Sequence, residues 1–286
     1  MKPLITIGIP VYNAEHFLSD AIQSVVNQSF QDWELLITDD GSTDQSIEIA
    51  QKFLSDSRIK LLVDGENKGL PFRLNQQIEL AKGKYFARMD ADDIMHPHRI
   101  KEQVCFLEAN SDIDAVGCSA YSIDINNNVC GMLNANPSPR TLDDVFNNRC
   151  FIHPSVMAKS DWYKNNLYDS KYVRMEDMAL WTRTITKSNF ANLNTPLLFY
   201  RDVGIPYLKK YLQTKKGERR LIRNIFSNGD FAKKQQLLFK NYAKSLVYIV
   251  FTVLQMQTFL IKRRASSINE AEKQKACSEL NKAIAC

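Results

Sequence analysis

Short apolar, β-branched runs alternate with amphipathic stretches over the first hundred residues. Leu4 to Pro10, Glu34 to Thr38, Ile59 to Val63 and Tyr85 to Met89 read as four strands. Between them, Ala14 to Gln28 sets Phe17, Ala21, Ile22, Val25 and Val26 at helical spacing. Asp44 to Leu54 and Pro71 to Ala81 repeat that spacing, and Pro71 suits the first turn of a helix because its missing N–H has no partner to lose there. Strands alternating with helices predict an α/β fold with a mostly parallel sheet flanked by helices. In such sheets ligands gather at the carboxyl ends of the strands, so the chemistry is sought in the loops that follow them.

Those loops carry Val11-Tyr12-Asn13, Asp39-Asp40-Gly41-Ser42 and Asp90-Ala91-Asp92-Asp93. Asp-Asp-Gly-Ser on its own is also a sound tight turn with its own caps. Three carboxylates within four residues are harder to explain as structure, since they repel unless a cation lies between them. A hard divalent ion such as Mn²⁺ or Mg²⁺ takes oxygen ligands and shares its remaining positions with phosphates, which favours metal binding over solvated surface acids.

Ile9-Pro10-Val11-Tyr12-Asn13, Asn27-Gln28-Ser29-Phe30, Thr38 to Asp44 and Ala81 to Asp93 together closely resemble the family 2 glycosyltransferases of GT-A fold, of the bacterial surface-polysaccharide or lipopolysaccharide type. The resemblance resumes at Phe151-Ile152-His153-Pro154-Ser155 and at Arg174-Met175-Glu176-Asp177, and it ends near Tyr200-Arg201. It implies a GT-A catalytic domain over residues 1–204, with a nucleotide-sugar half to about 100 and an acceptor half after it, followed by a basic helical extension over 205–286. It implies that Pro10, Tyr12, Asn13 and Asp40 hold the base and ribose, with Asp40 on a uracil ring. Asp90, Ala91 and Asp92 match the D-x-D contact, with Asp92 and then Asp93 as metal ligands. Lys68 and Arg73 fall where the family tends to place a basic residue near the pyrophosphate, although each also reads as ordinary helix-surface charge. Pro71-Phe72 is bulkier than the family pattern at that loop.

Sugar transfer further needs a base for the incoming hydroxyl. The resemblance assigns this to Asp177, assisted by Glu176, at the head of a helix-like run; as bare sequence, the same acids also suit a helix N-terminus. His153 matches a position near the acceptor, and it also reads as a buried structural histidine. The implied reaction is an inverting transfer of a hexose or N-acetylhexosamine from a UDP-sugar to a glycan or lipid-linked acceptor. A catalytically silent sugar-nucleotide-binding scaffold is the rival reading. No G-x-G-x-x-G, G-x-x-x-x-G-K-[ST], H-E-x-x-H or G-x-S-x-G pattern is present, which removes dehydrogenase, P-loop and common hydrolase readings.

Charge separates the two regions. Of 37 Lys+Arg and 32 Asp+Glu, residues 1–200 hold 19 and 26, leaving 18 and 6 for residues 201–286, so −7 is followed by +12. Within the basic region, Ser245 to Ile261 is uncharged, too short and too interrupted by Gln255 and Gln257 for a bilayer span. It is expected to lie against an anionic membrane surface, with packing on the catalytic domain as the alternative. A nucleic-acid partner is not expected, because no binding motif accompanies the basic charge. Six dispersed cysteines and an N-terminus that enters a strand without an export signal point to a cytoplasmic protein, peripheral on the inner face of the membrane.

Overall fold

The computed structural model describes residues 2–147, 150–201, 208–227, 229–256 and 265–285. Strands β1 (Ile5–Val11), β2 (Trp33–Asp39), β3 (Ile59–Leu62) and β4 (Tyr85–Arg88) alternate with helices α1 (Leu18–Val26), α2 (Ser46–Gln51) and α3 (Leu70–Leu80). All seven residues of β1 and all seven of β2 are buried, as in parallel strands covered on both faces. Pairing runs β3-β2-β1-β4 in parallel, with Gly8 opposite Leu36 on one side and Arg88 on the other.

The predicted helices are shorter than their apolar patterns. Ala14 instead closes a turn, its carbonyl accepting from the N–H groups of Phe17 and Leu18. Asp44 precedes α2 and accepts from the backbone N–H of Ser46 and of Glu15, so it ties two loops together and is not helical. Ahead of β4 the chain passes close under β1. A Cβ on Gly83 would sit 2.5 Å from the Thr6 nitrogen, so only glycine fits there.

The second half corrects the expectation of a mostly parallel sheet. It comprises β5 (Ile94–Met95), α4 (Arg99–Ala109), β6 (Ala115–Ile123), β7 (Val129–Leu133), α5 (Leu142–Phe146), β8 (Met157–Lys159), α6 (Ser160–Asn165), α7 (Glu176–Thr184) and β9 (Phe190–Arg201). The sheet continues β4-β8-β6-β9-β5, with β7 beside β6. Short β8 enters between β4 and β6 antiparallel to both, and the β6–β7 and β5–β9 pairs are antiparallel too. A three-residue insertion of this kind carries no apolar period that a linear pattern reveals.

The basic region folds as α8 (Leu208–Ile225), α9 (Phe231–Val253) and α10 (Glu270–Ile284). It is not a detached appendage. Leu221, Ile222, Leu237 and Leu238 join the core that holds Tyr168, Met175 and Trp181. Gly217 of α8 lies against Met175, where a Cβ would come 2.9 Å from Cγ. Helix α10 returns to the nucleotide half: Asn27 Nδ2 donates to the carbonyls of Ala283 at 3.0 Å and Ala285 at 2.7 Å, satisfying the open end of that helix. The uncharged run from Ser245 belongs to a helix that starts fourteen residues earlier and stops at Val253; residues 257–261 of the run lie outside the described residues.

Candidate active site

The loops after β1 and β2 are knitted together. Asn13 takes a positive φ of 48°; its N–H donates to Ser42 Oγ and its Oδ1 accepts from the Thr43 N–H at 2.8 Å. Pro10 ends in the buried strand, whereas Tyr12 stands 55% exposed beside it. Asp39 closes the turn by accepting from the N–H groups of Gly41 and Ser42.

Asp40 has partners of its own. Its carboxylate accepts from the backbone N–H of Lys68 at 2.8 Å and of Gly69 at 3.0 Å, and from Arg73 Nε at 2.9 Å. These bonds anchor the 64–69 loop across the strand ends. Arg73, 1% exposed, adds a fork onto Asp64 at 2.9 and 2.6 Å, while Lys68 Nζ reaches Asp64 at 2.8 Å and Glu66 at 3.0 Å. The two cations expected near a pyrophosphate are thus engaged within the protein, because Asp64 and Glu66 supply partners close by in space. The Arg73 and Lys68 charges hold the Asp64 carboxyl far below the ordinary range.

After β4 the acids crowd. One carboxylate oxygen from each of Asp90, Asp92 and Asp93 lies within 4.8 Å of the others. Asp93 is buried; its Oδ1 accepts from the Arg201 N–H at 2.8 Å, and its Oδ2 has no partner. Burial, then the neighbouring carboxylates, push Asp93 well above the ordinary range; burial and Asp90 bring Asp92 to about 6. Arg201 Nε also donates to the Asp92 carbonyl at 2.6 Å, which fixes the loop without neutralising its side chains. An open buried oxygen within a cluster of mutually repelling carboxylates fits a hard divalent cation.

Glu176 and Asp177 open α7. Asp177 Oδ1 accepts from the Met178 N–H at 2.6 Å, and burial raises its carboxyl above the ordinary range. Glu176 is 6% exposed, its Oε2 has no partner, and burial followed by the Asp177 charge lifts it to about 7. His153, in the turn His153–Ser155, meets the Tyr168 hydroxyl through Nε2 at 2.9 Å. Burial, aided by the Arg88 charge, pushes its imidazole well below the ordinary range.

A cavity of about 670 Å³ joins Asp90 of the acid cluster to the Glu176-Asp177 pair and His153. Arg88, Asp90, His153, Glu176, Asp177 and Trp181 are among its lining residues. Pro10, Tyr12, Asn13, Asp40, Lys68, Arg73, Ala91, Asp92 and Asp93 lie outside that lining.

The description "Glycosyl transferase family 2" matches residues 6–214, ending inside α8. The chain belongs to this family. The uncharacterized glycosyltransferase MJ1057 of Methanocaldococcus jannaschii is 30% identical over 273 residues, 91% of this chain and 92% of that protein. The Escherichia coli UDP-Glc:alpha-D-GlcNAc-diphosphoundecaprenol beta-1,3-glucosyltransferase WfgD is 33% identical over 191 residues, 67% of this chain and 73% of WfgD. S. aureus TarS 1–349 in complex with UDP-GlcNAc superposes with a TM-score of 0.64 at 17% identity, covering 99% of this chain and 82% of TarS 1–349. The mannosyltransferase PcManGT from Pyrobaculum calidifontis, solved with GDP-Man and Mn²⁺, gives 0.58 at 14% identity over 99% of this chain and 86% of its own.

The fold is GT-A, and this transferase moves a sugar from a nucleotide sugar. Motif reading passed over two arginines in the transferase. Arg88 is buried at the end of β4 and donates to Asp90 through Nη2; Arg201 pins the acid loop from the end of β9. Arg88 stands directly before the D-x-D stretch in sequence, and a cation adjoining an acid cluster was the available signal.

Proposed function

We propose that this transferase moves a hexose or N-acetylhexosamine from UDP to a hydroxyl of a glycan or lipid-linked acceptor in surface-polysaccharide or lipopolysaccharide synthesis. The observation that carries the reading is that Asp90 and Asp177 line one cavity, so a D-x-D carboxylate and a candidate base face the same substrate space. Asp177 removes the proton from the acceptor hydroxyl. That oxygen bonds to the anomeric carbon as the bond to the diphosphate oxygen breaks, and UDP departs with the electron pair. Attack opposite the leaving group inverts the anomeric configuration. The raised Asp177 carboxyl suits a general base, which works best when its pKa approaches the working pH. Asp90, Asp92 and Asp93 would hold Mn²⁺ or Mg²⁺, which when bound supplies positive charge to the departing diphosphate. TarS solved with UDP-GlcNAc and the UDP-Glc donor in WfgD's name support uridine; WfgD's diphosphoundecaprenol substrate supports a lipid-linked acceptor.

UDP release over a donor panel, with and without Mn²⁺ and in Asp177→Asn, tests this. Full activity in Asp177→Asn removes Asp177 as base, and an α-linked product from an α-linked donor by proton NMR removes inversion.

The transferase works, in this reading, at the cytoplasmic face of the membrane. Exposed Phe239, Tyr242, Leu246, Val250 and Val253 recur at helical spacing along α9, opposite the buried Leu237, Asn241, Ser245 and Tyr248. Lys234, Lys240 and Lys244 share that helix, each worth on the order of 1 kcal/mol beside anionic lipid, whereas Lys233 is paired with Asp143 at 2.6 Å. No helix among the described residues is long and apolar enough to cross a bilayer. Because α10 packs on the core, the informative variant keeps the whole chain: Phe239→Glu with Leu246→Glu should lose flotation with anionic liposomes, and unchanged flotation rejects the contact.

A further inference from the structure

Arg88 poses a problem that its role in the fold does not solve. Its backbone is locked in β4: the N–H donates to the Val156 carbonyl at 2.9 Å, and its own carbonyl accepts from Arg99 Nη2 at 2.9 Å. The side chain is 2% exposed, and only Nη2 is used, on Asp90. Nε and Nη1 are buried with no partner. A guanidinium stripped of water and left with open donors is costly, so such an arrangement is kept where something else completes it.

On the same cavity wall Glu176 presents the opposite defect. Its Oε2 is buried with no partner, although the Arg88 charge is near enough to draw its carboxyl downward against the effect of burial. A purely structural pair of opposite charges closes on itself. Both residues line one cavity, and beside it one holds buried donors and the other a buried acceptor that the protein leaves without partners.

The group that satisfies both is a hydroxyl, which accepts from the guanidinium and donates to the carboxylate. A phosphate meets the arginine but is repelled by Glu176. Arg88 is tied to Asp90 on the donor side, and Glu176 adjoins Asp177 on the base side, so the span between them is where the transferred sugar must lie.

We propose that Arg88 and Glu176 form a clamp on a hydroxyl of the transferred sugar, making Arg88 a specificity-determining residue for the donor. The clamp rests on the reading of the substrate as a UDP-sugar. Arg88 carries the discrimination because its guanidinium is charged at every working pH and is held by a rigid strand, whereas Glu176 sits at a helix start.

Titration calorimetry with UDP, UDP-glucose and UDP-GlcNAc, in the presence of Mn²⁺, tests it on the wild type, Arg88→Lys and Arg88→Met. The wild type should bind one of the UDP-sugars more tightly than UDP. Arg88→Met should weaken that sugar nucleotide by about 10- to 100-fold more than it weakens UDP, as expected for loss of a charge-assisted bond to the sugar beyond any effect through Asp90. Arg88→Lys should recover part of the loss, and it provides the same comparison if the methionine variant does not fold by circular dichroism. Among the 2-, 3-, 4- and 6-deoxy forms of the preferred donor, one should lose affinity in the wild type and lose nothing further in the Arg88 variant. Equal weakening of UDP and UDP-sugar overturns the clamp, since the contact is then with the diphosphate. Additive losses for all four deoxy donors overturn it as well. A wild type that binds neither UDP nor a UDP-sugar overturns the uridine reading and the clamp together, whereas one that binds UDP and the UDP-sugars equally overturns the clamp alone.

Discussion

Arg73→Met separates a scaffold arginine from a phosphate-binding one. In the structure its Nε meets Asp40 at 2.9 Å, its two terminal nitrogens fork onto Asp64, and Nη2 also reaches the Glu66 carbonyl. Removing one partner of a buried ion pair costs about 3–5 kcal/mol, because the remaining charge is left uncompensated. The lower end applies here, since Asp40 is 6% exposed yet keeps the N–H groups of Lys68 and Gly69. At roughly 2–4 °C per kcal/mol for a domain of this size class, a loss of about 3 kcal/mol lowers the melting temperature by roughly 6–12 °C. Differential scanning calorimetry reads the melting, and UDP titration reads whether the 64–69 loop still shapes the nucleotide end. Asp64→Asn should melt far closer to the wild type, because that end of the network stands a third exposed in solvent that screens it. An Arg73→Met protein that melts with the wild type but binds UDP more weakly refutes the reasoning and returns Arg73 to the pyrophosphate.

Asp177→Asn should lower kcat by about 10²- to 10⁴-fold, the usual contribution of a positioned base, with UDP affinity retained by titration. For the metal-free protein, Asp92 has a folded value of about 6 against an ordinary value near 4, so its contribution is full below about pH 4 and is lost as the pH rises through about 6. That loss is about 3 kcal/mol; melts in EDTA from pH 4 to 8 should fall in the wild type and fall less steeply in Asp92→Asn, where Glu176, at about 7, still titrates, and Mn²⁺ should raise the wild-type melting more at pH 7.5 than at pH 5. Gly83→Ala should destabilise the fold by about 1–3 kcal/mol in urea titration, since its Cβ meets backbone atoms of Ile5 and Thr6 that cannot step aside.

What the sequence determined by itself was local. The four strands of the first half form within a residue or two of their apolar runs, because side-chain alternation and β-branching act over neighbours in the chain. The D-x-D stretch and the Glu176-Asp177 pair were legible for the same reason: each is a short motif at the end of a strand or the start of a helix. Helix lengths were less so, since Asp44 and Ala14 spend their polar groups on loops and not on a helical ladder.

Tertiary structure alone decided the rest. Asp40 and Arg73 lie 33 residues apart, and their pairing depends on how the 64–69 loop crosses the sheet. Strand β8 reverses direction between β4 and β6 because the sheet offers two open edges there, which no period in Met157–Lys159 records. Arg88 and Glu176 come from segments 88 residues apart, and they line a common cavity only after both halves have folded. The return of α10 to Asn27 joins residues more than 250 positions apart. Patterns along a chain encode which face of an element is apolar; which buried charges become neighbours is set by packing, where the cost of an unmatched charge selects one arrangement among many.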